Sequence, residues 1–309
     1  MNKTNIQAVS QKEFGQIPIT IERKTIGICN EVYELTLKSK SVILRMNQQK
    51  EWLYGTHKFL PLFKKLNITT PDIIAEDYSK IDFPFCYQIL TKLEGKDLGV
   101  VIDTLSTNEL KAVAHAVSDI FDKFNTLPPA KDFGGLTGLY EEHFDTLNIG
   151  RHRVGILERN KSSNVISPEI LRIYDEILET YKGYFKQVTP RLYYGDICSK
   201  NVMVHKGQFT GLVDLDFLAK GDYLEAIGRM IADWHGTSYG EIYINEIIRL
   251  QKLNKYQQEI IKVYGILNLV LWTSEEGIRF NSNSTGKINW ERVEAKRQKI
   301  LRLYNSIKS

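Results

Sequence analysis

The stretch "YYGDICSKNVMVHKGQFTGLVDLDF", residues 193–217, constrains this chain most. Two apolar runs, "VMV" and "FTGLV", flank the polar "HKGQ". That pattern predicts a β-hairpin with its turn at Lys206 to Gln208. Asn201 precedes the first run and Asp214 follows the second, equidistant from the turn. An antiparallel pairing therefore brings them together at the open end. Asp196 lies in the segment leading in. All three are hard oxygen donors. Magnesium prefers such ligands and takes only one or two from a protein, completing its shell with phosphate oxygens and water. Asn201 and Asp214 are thus candidate Mg2+ ligands. Asp196 is a candidate acceptor for the proton of a hydroxyl that attacks a phosphate, a reaction that needs positioning and charge neutralisation above all.

The rest of the chain divides around this hairpin. "ITIERKTIGI", "EVYELTL", "SVILRM" and "FCYQILTKL" are short, rich in β-branched residues and separated by turn-like breaks, so they read as strands. "QQKEWLYGTHKFLPLFKKL" has near-helical apolar spacing, interrupted by Gly55 and Pro61. After residue 97 the pattern is mainly helical. Ser106 stands three residues before Glu109, a capping-box spacing, and Ser167-Pro168 reads as an N-cap followed by a first-turn proline. The expected fold class is α+β, with a β-rich lobe over residues 1–94, a helical lobe over residues 95–309, and a binding site at the seam.

Composition excludes several function classes. A net charge of +4 with no dense Lys/Arg tract gives no nucleic-acid surface. No apolar run reaches the roughly 18 residues of a membrane span, and the polar first residues lack a signal-peptide core, so the expected compartment is the cytoplasm. Cys29, Cys86 and Cys198 are odd in number and far apart, which argues against a disulfide framework or a structural zinc site.

The ordered motifs add a resemblance. "YGDICSKN" resembles the catalytic loop of the aminoglycoside phosphotransferase and choline-kinase-like family. "VDLDFLAKGDYLEAIGRM" is similar to that family's next element, with Gly221, Asp222 and Glu225 matching. "IGICNEVYEL" looks like its phosphate-covering turn, and "EGKDL" like the segment after its hinge between lobes. The resemblance implies a bilobal protein-kinase-like fold. It also implies a small-molecule kinase that uses Mg2+ and ATP or GTP to phosphorylate a hydroxyl-bearing substrate. Asp196 would orient the acceptor hydroxyl. Gly27, Asn30 and Arg45 would hold the phosphates, and Glu51 would orient Arg45. The base would lie on the backbone near Thr91 to Leu93. Tyr194 stands where the family usually has a scaffolding His, Arg45 where protein kinases have Lys, and Gly27 is the only glycine in its turn. Asp216 either joins the metal site or caps the next loop. Asp222 and Glu225 are expected to brace the helical lobe.

The expected acceptor follows from charge. Residues 221–246 hold five acids against one base, Arg229, and Glu275 and Glu276 add an acidic pair. Asp233, Glu241, Glu275 and Glu276 are therefore candidate ligands for a polycationic acceptor such as an aminoglycoside. The alternatives are another small alcohol (choline, homoserine, a sugar or a macrolide) or a kinase-like protein that binds nucleotide without catalysis.

Overall fold

The computed structural model describes residues 3–27, 29–135, 149–281, 283 and 285–308. Helix α1 (Lys3–Phe14) is followed by strands β1 (Thr20–Lys24), β2 (Glu31–Thr36) and β3 (Ser41–Asn47). Helix α2 (Glu51–Lys65) and strands β4 (Ile73–Asp77) and β5 (Cys86–Thr91) complete the first lobe. The five strands form one antiparallel sheet in the order β1-β2-β3-β5-β4. Alternation along β3 sends Val42, Leu44 and Met46 into a core shared with Leu35 and Ile89, all fully buried. Ile6 and Val9, one face of α1, close that core from outside. Arg45 takes the opposite face of β3, between Val32 and Gln88, and is buried as well.

Gly55 and Pro61 do not break α2. Its apolar residues Phe59, Leu60 and Phe63 belong to the core of the second lobe, where Phe63 meets the rings of Phe124 and Tyr194 edge-on at 5.5 and 5.6 Å. Tertiary packing thus outweighs the local penalty, and α2 links the two lobes.

The second lobe begins with β6 (Lys96–Asp97), α3 (Leu98–Val101) and α4 (Thr107–Asn125). Then come β7 (Gly134–Gly135), α5 (Ile149–Ser163), α6 (Pro168–Thr180) and α7 (Lys182–Gln187). The strands β8 (Arg191–Tyr194), β9 (Val202–His205), β10 (Gln208–Leu212) and β11 (Leu218–Gly221) carry the segment with Asp196, Asn201 and Asp214. Helices α8 (Leu224–Trp234), α9 (Ser238–Leu250), α10 (Lys255–Ser274) and α11 (Trp290–Lys308) finish the chain. Both expected caps form: Ser106 and Glu109 make a reciprocal capping box on α4, and Ser167 caps α6. Among the described residues no helix is long and apolar enough to cross a membrane.

The connection between lobes lies directly on the hairpin. Strand β6 pairs with β9, and a Cβ at Gly95 would stand 2.2 Å from the Val204 carbonyl oxygen at a φ of +110°. Only glycine fits there, so this residue sets how closely the hinge approaches the hairpin.

Candidate active site

The hairpin forms, but its turn is Lys206-Gly207 alone, with φ of 48° and 72°. Gln208 already belongs to β10, which corrects the expected three-residue turn. Two consecutive positive φ values are those of a type I′ turn. A register shift between Phe209 and Gly211 then offsets the strands. The two-residue turn alone would set Leu212 opposite Asn201; the shift moves that partner to Val213, whose N–H meets the Asn201 carbonyl at 3.0 Å. Asp214 sits one residue beyond, in a left-handed conformation with φ of 58°. The Tyr194 hydroxyl fixes this bend, lying 3.0 and 2.8 Å from the carbonyl oxygens of Val213 and Asp214. Tyr194 therefore has a scaffolding contact.

Asp196 is held from both sides. The Asn201 amide donates to its carbonyl oxygen at 2.9 Å and to its Oδ2 at 2.5 Å. The buried Arg229 approaches Oδ1 at 3.3 Å. Arg229 is in turn fixed by Glu225 at 2.7 Å and lies over the Phe217 ring at 4.6 Å. Glu225 is wholly buried and also accepts from the Tyr193 hydroxyl and the Asn268 amide, at 3.2 and 3.1 Å. Burial pushes its pKa up, and Arg229 opposes that. Sequence reasoning placed Glu225 correctly as a brace but missed Arg229, whose signal was its i, i+4 spacing from Glu225 on α8.

Arg45 reaches across the seam. Its Nη2 contacts Asp214 at 2.9 Å and also pairs with Asp216. Its Nη1 donates to Thr56 Oγ1 and Gln88 Oε1 at 2.9 and 3.3 Å. Asp216 also accepts the Thr56 N–H at 2.7 Å, so it anchors α2 and Arg45. Glu51 is not among the described partners of Arg45. Thr56 and the Trp52 carbonyl occupy that place instead. Burial raises the pKa of Asp214, but the Arg45 charge lowers it further, leaving it below the usual carboxylate range. Burial and the Asp214 charge push Asp216 up.

The donor set suits magnesium. Arg45 and Asp216 both engage Asp214, and among the described residues none donates to Asn201 Oδ1. Two hard oxygens at the seam match what Mg2+ takes from a protein when phosphates supply the rest.

The remaining expected residues divide. Asn30 is buried and uses its side chain internally, donating to the Trp52 carbonyl at 2.8 Å and accepting from Asn47 at 2.9 Å. The Gly27 carbonyl accepts from Asn283 at 2.7 Å, a contact from the α10–α11 connection that sequence reasoning did not foresee. Thr91 is turned into the sheet: its N–H goes to the Asp72 carbonyl at 2.9 Å, which removes it as a donor to a base. The Glu94 carbonyl is taken by Thr210. Neither Lys92 nor Leu93 has a backbone partner of this kind among the described residues.

Three of the four acidic candidates are already committed. Glu276 is buried between Arg292 and Lys296 at 2.7 and 2.8 Å. Glu241 pairs with His235 at 3.3 Å and accepts the Gly236 N–H at 3.2 Å. Asp233 is raised by burial and is hydrogen-bonded to Ser199, while its Oδ2 is buried without a partner among the described residues. Only Glu275 lacks a direct partner among the described residues. Burial raises it, against the nearby charges of Arg159 and Arg229.

A β-lobe and a helical lobe meeting at a braced carboxylate, an Asn/Asp oxygen pair and a bridging cation define a kinase-like phosphotransferase. A sequence model of the phosphotransferase enzyme family matches residues 20–256, and the chain belongs to that family. It is a phosphotransferase with an alcohol group as acceptor. No curated protein matches the sequence. Among solved structures, a variant of aminoglycoside 2'-phosphotransferase-IIIa in complex with GDP is similar at a TM-score of 0.74 and 14% identity, over 99% of this chain and 100% of that one. A thermostable mutant of aminoglycoside phosphotransferase APH(4)-Ia, in ternary complex with AMP-PNP and hygromycin B, aligns at 0.70 and 14%, over 98% of each chain. A putative fructosamine-3-kinase from Haemophilus somnus 129PT aligns at 0.62 and 15%, over 96% of each. These likenesses establish the shared fold.

Proposed function

We propose that this protein transfers the γ-phosphate of ATP or GTP to a hydroxyl of a small cationic sugar of the aminoglycoside class. The observation that carries the reading is Asp196, fixed by Asn201 and Arg229 beside the Asn201–Asp214 oxygen pair. Nucleotide would lie in the seam with its base edge at Leu93 and its phosphates under the Gly27–Asn30 turn. Mg2+, held by Asn201 Oδ1 and Asp214, would neutralise phosphate charge. The Asp196 carboxylate receives the proton as the acceptor oxygen bonds to the γ-phosphorus and the bond to the β-phosphate oxygen breaks. The aminoglycoside assignment draws support from the compound bound in one structural relative and from Glu275, the acid left to meet an ammonium. Incubation with Mg2+, nucleotide and kanamycin-like or gentamicin-like compounds tests it. Phosphorylated antibiotic is expected, and turnover with a macrolide or an amino-acid alcohol but no aminoglycoside would overturn the acceptor.

A second reading is favoured by the acids that already have partners within the protein. With Asp233, Glu241 and Glu276 committed internally, the site has capacity for few ammonium groups, which suits a singly charged sugar or amino alcohol. The likeness to a fructosamine kinase points the same way. Comparing aminoglycosides with glycated amines in that same assay separates the two.

A further inference from the structure

The turn expected over the phosphates does not take its shape from glycine. Gly27 is its only glycine, its φ is not positive, and a Cβ there would meet only the Asn30 carbonyl oxygen, at 3.9 Å. The backbone of the turn is held by side chains instead. Asn47 of β3 donates to the Cys29 carbonyl at 3.1 Å. Asn283 donates to the Gly27 carbonyl at 2.7 Å, and Asn281 reaches the carbonyls of Asn30 and Gly27 at 3.1 and 3.4 Å. The carbonyls of Gly27, Cys29 and Asn30 are thus all taken by asparagine amides, and two of those three amides come from the other lobe. Asn281 and Asn283 lie on the connection between α10 and α11, which is anchored to the helical lobe at both ends. The Ile278 N–H meets the Glu275 carbonyl at 3.1 Å, and Glu276 is paired with Arg292 and Lys296 of α11. A Cβ at Gly277 would stand 2.8 Å from Ile288 Cγ1, and Ile288 packs on the helical-lobe core. Residues 277 and 288 therefore meet, so the chain between them leaves and returns at one place, as in a closed surface loop. Asn281 Oδ1 accepts the Asn283 N–H at 2.7 Å, which holds the two residues as a unit. Asn283 Oδ1 is buried with no hydrogen-bond partner among the described residues, so donation to Gly27 is what orients that amide.

We propose that Asn281 and Asn283 are positioning residues for phosphoryl transfer: they tie the phosphate-covering turn to the helical lobe that carries Asp196. Transfer requires the γ-phosphate and the attacking hydroxyl to be held in one geometry. The hinge and Arg45 join the lobes elsewhere, whereas this tie acts on the turn itself. The positioning role rests on the kinase reading above; the tie does not.

The test compares the full-length parent with Asn281→Ala/Asn283→Ala by amide hydrogen exchange, by kcat, and by binding of the Mg-triphosphate of the preferred base and of its nucleoside. In the double variant, exchange in the segment containing Gly27, Cys29 and Asn30 is expected to quicken about tenfold, the scale of losing one or two neutral hydrogen bonds. Triphosphate binding is expected to weaken and kcat to fall, each about tenfold, because the turn no longer holds the phosphates in place. The nucleoside has no phosphate for the turn to cover, so it should bind as it does to the parent. Should the double variant not fold, Asn283→Ala alone carries the same comparison. Unchanged exchange at the turn overturns the tie. Faster exchange with parental triphosphate binding and kcat overturns the positioning role, as does an equal loss of nucleoside and triphosphate binding. A parent that neither binds nor turns over Mg-nucleotide overturns the kinase reading and the positioning role with it, while the exchange result still decides the tie.

Discussion

Replacing Arg229 by Met should destabilise the helical lobe through Glu225. Arg229 lies between Glu225, 2.7 Å away and fully buried, and Asp196 at 3.3 Å. Breaking one side of a buried pair typically costs about 3–5 kcal/mol, because the remaining charge is left uncompensated. Here Glu225 keeps the Tyr193 hydroxyl and the Asn268 amide, so a loss of about 3 kcal/mol is expected, at the lower end of that range. In a double-mutant cycle, Glu225→Gln removes the stranded charge. The double variant should then be more stable than the sum of the singles by about 2 kcal/mol, within the span measured for residues in contact. Burial already raises the Glu225 pKa, and losing Arg229 raises it further. A carboxyl whose folded pKa exceeds its unfolded value stabilises the native state as pH falls. The deficit of Arg229→Met should therefore shrink on acidification and grow toward neutral pH. Urea unfolding of the four proteins at two pH values measures all of this. Effects that add within about 0.5 kcal/mol would refute the reasoning, since that is the behaviour of independent sites.

Other outcomes follow from the same contacts. Asp196→Asn should lower kcat by about 100- to 10,000-fold while Mg-nucleotide binding is kept, as measured by steady-state kinetics beside calorimetry. Arg45→Met should cost about 3–5 kcal/mol in urea unfolding, because the buried Asp216 and Gln88 lose their donor. Asp97 is pushed up to about 6 by burial, against the opposing charge of Lys200. Its folded pKa lies above its unfolded value, so it favours the native state at low pH and loses that contribution as pH rises through about 6. Subtracting the melting profile of Asp97→Asn from that of the parent should show stability falling from pH 4 to pH 7, by on the order of 1–3 kcal/mol.

The sequence carried the architecture because the signals for it are local. Strand alternation and two capped helix starts appear within a few residues of each other. The hairpin was legible for the same reason, although its register was not. The Lys206-Gly207 turn and the offset before Gly211 depend on backbone angles that the apolar pattern does not encode. Partners were harder to read. Arg45 meets Asp216 across 171 positions, so its strand was evident while its ion pairs were not. Glu51 was chosen as the only acid between residues 35 and 71, yet the α2 groups that reach Arg45 are the Trp52 carbonyl and the Thr56 hydroxyl. The acidic candidates were read by counting charge along the chain, which does not show the partners that distant elements bring to them. Helix α11 folds back to bring Arg292 and Lys296 onto Glu276, and Lys299 lies close to Asp233.

The most direct measurement follows the phosphate itself. Purified protein is incubated with Mg2+, γ-labelled ATP or GTP and a panel of aminoglycosides, glycated amines and amino alcohols, beside Asp196→Asn and Asp214→Asn. Label should appear on a hydroxyl of one cationic acceptor with the parent protein, and its rate should fall by about 100-fold or more in both variants. Equal labelling by Asp196→Asn would contradict the assignment of the proton acceptor, and no transfer to any hydroxyl-bearing compound would contradict the kinase account.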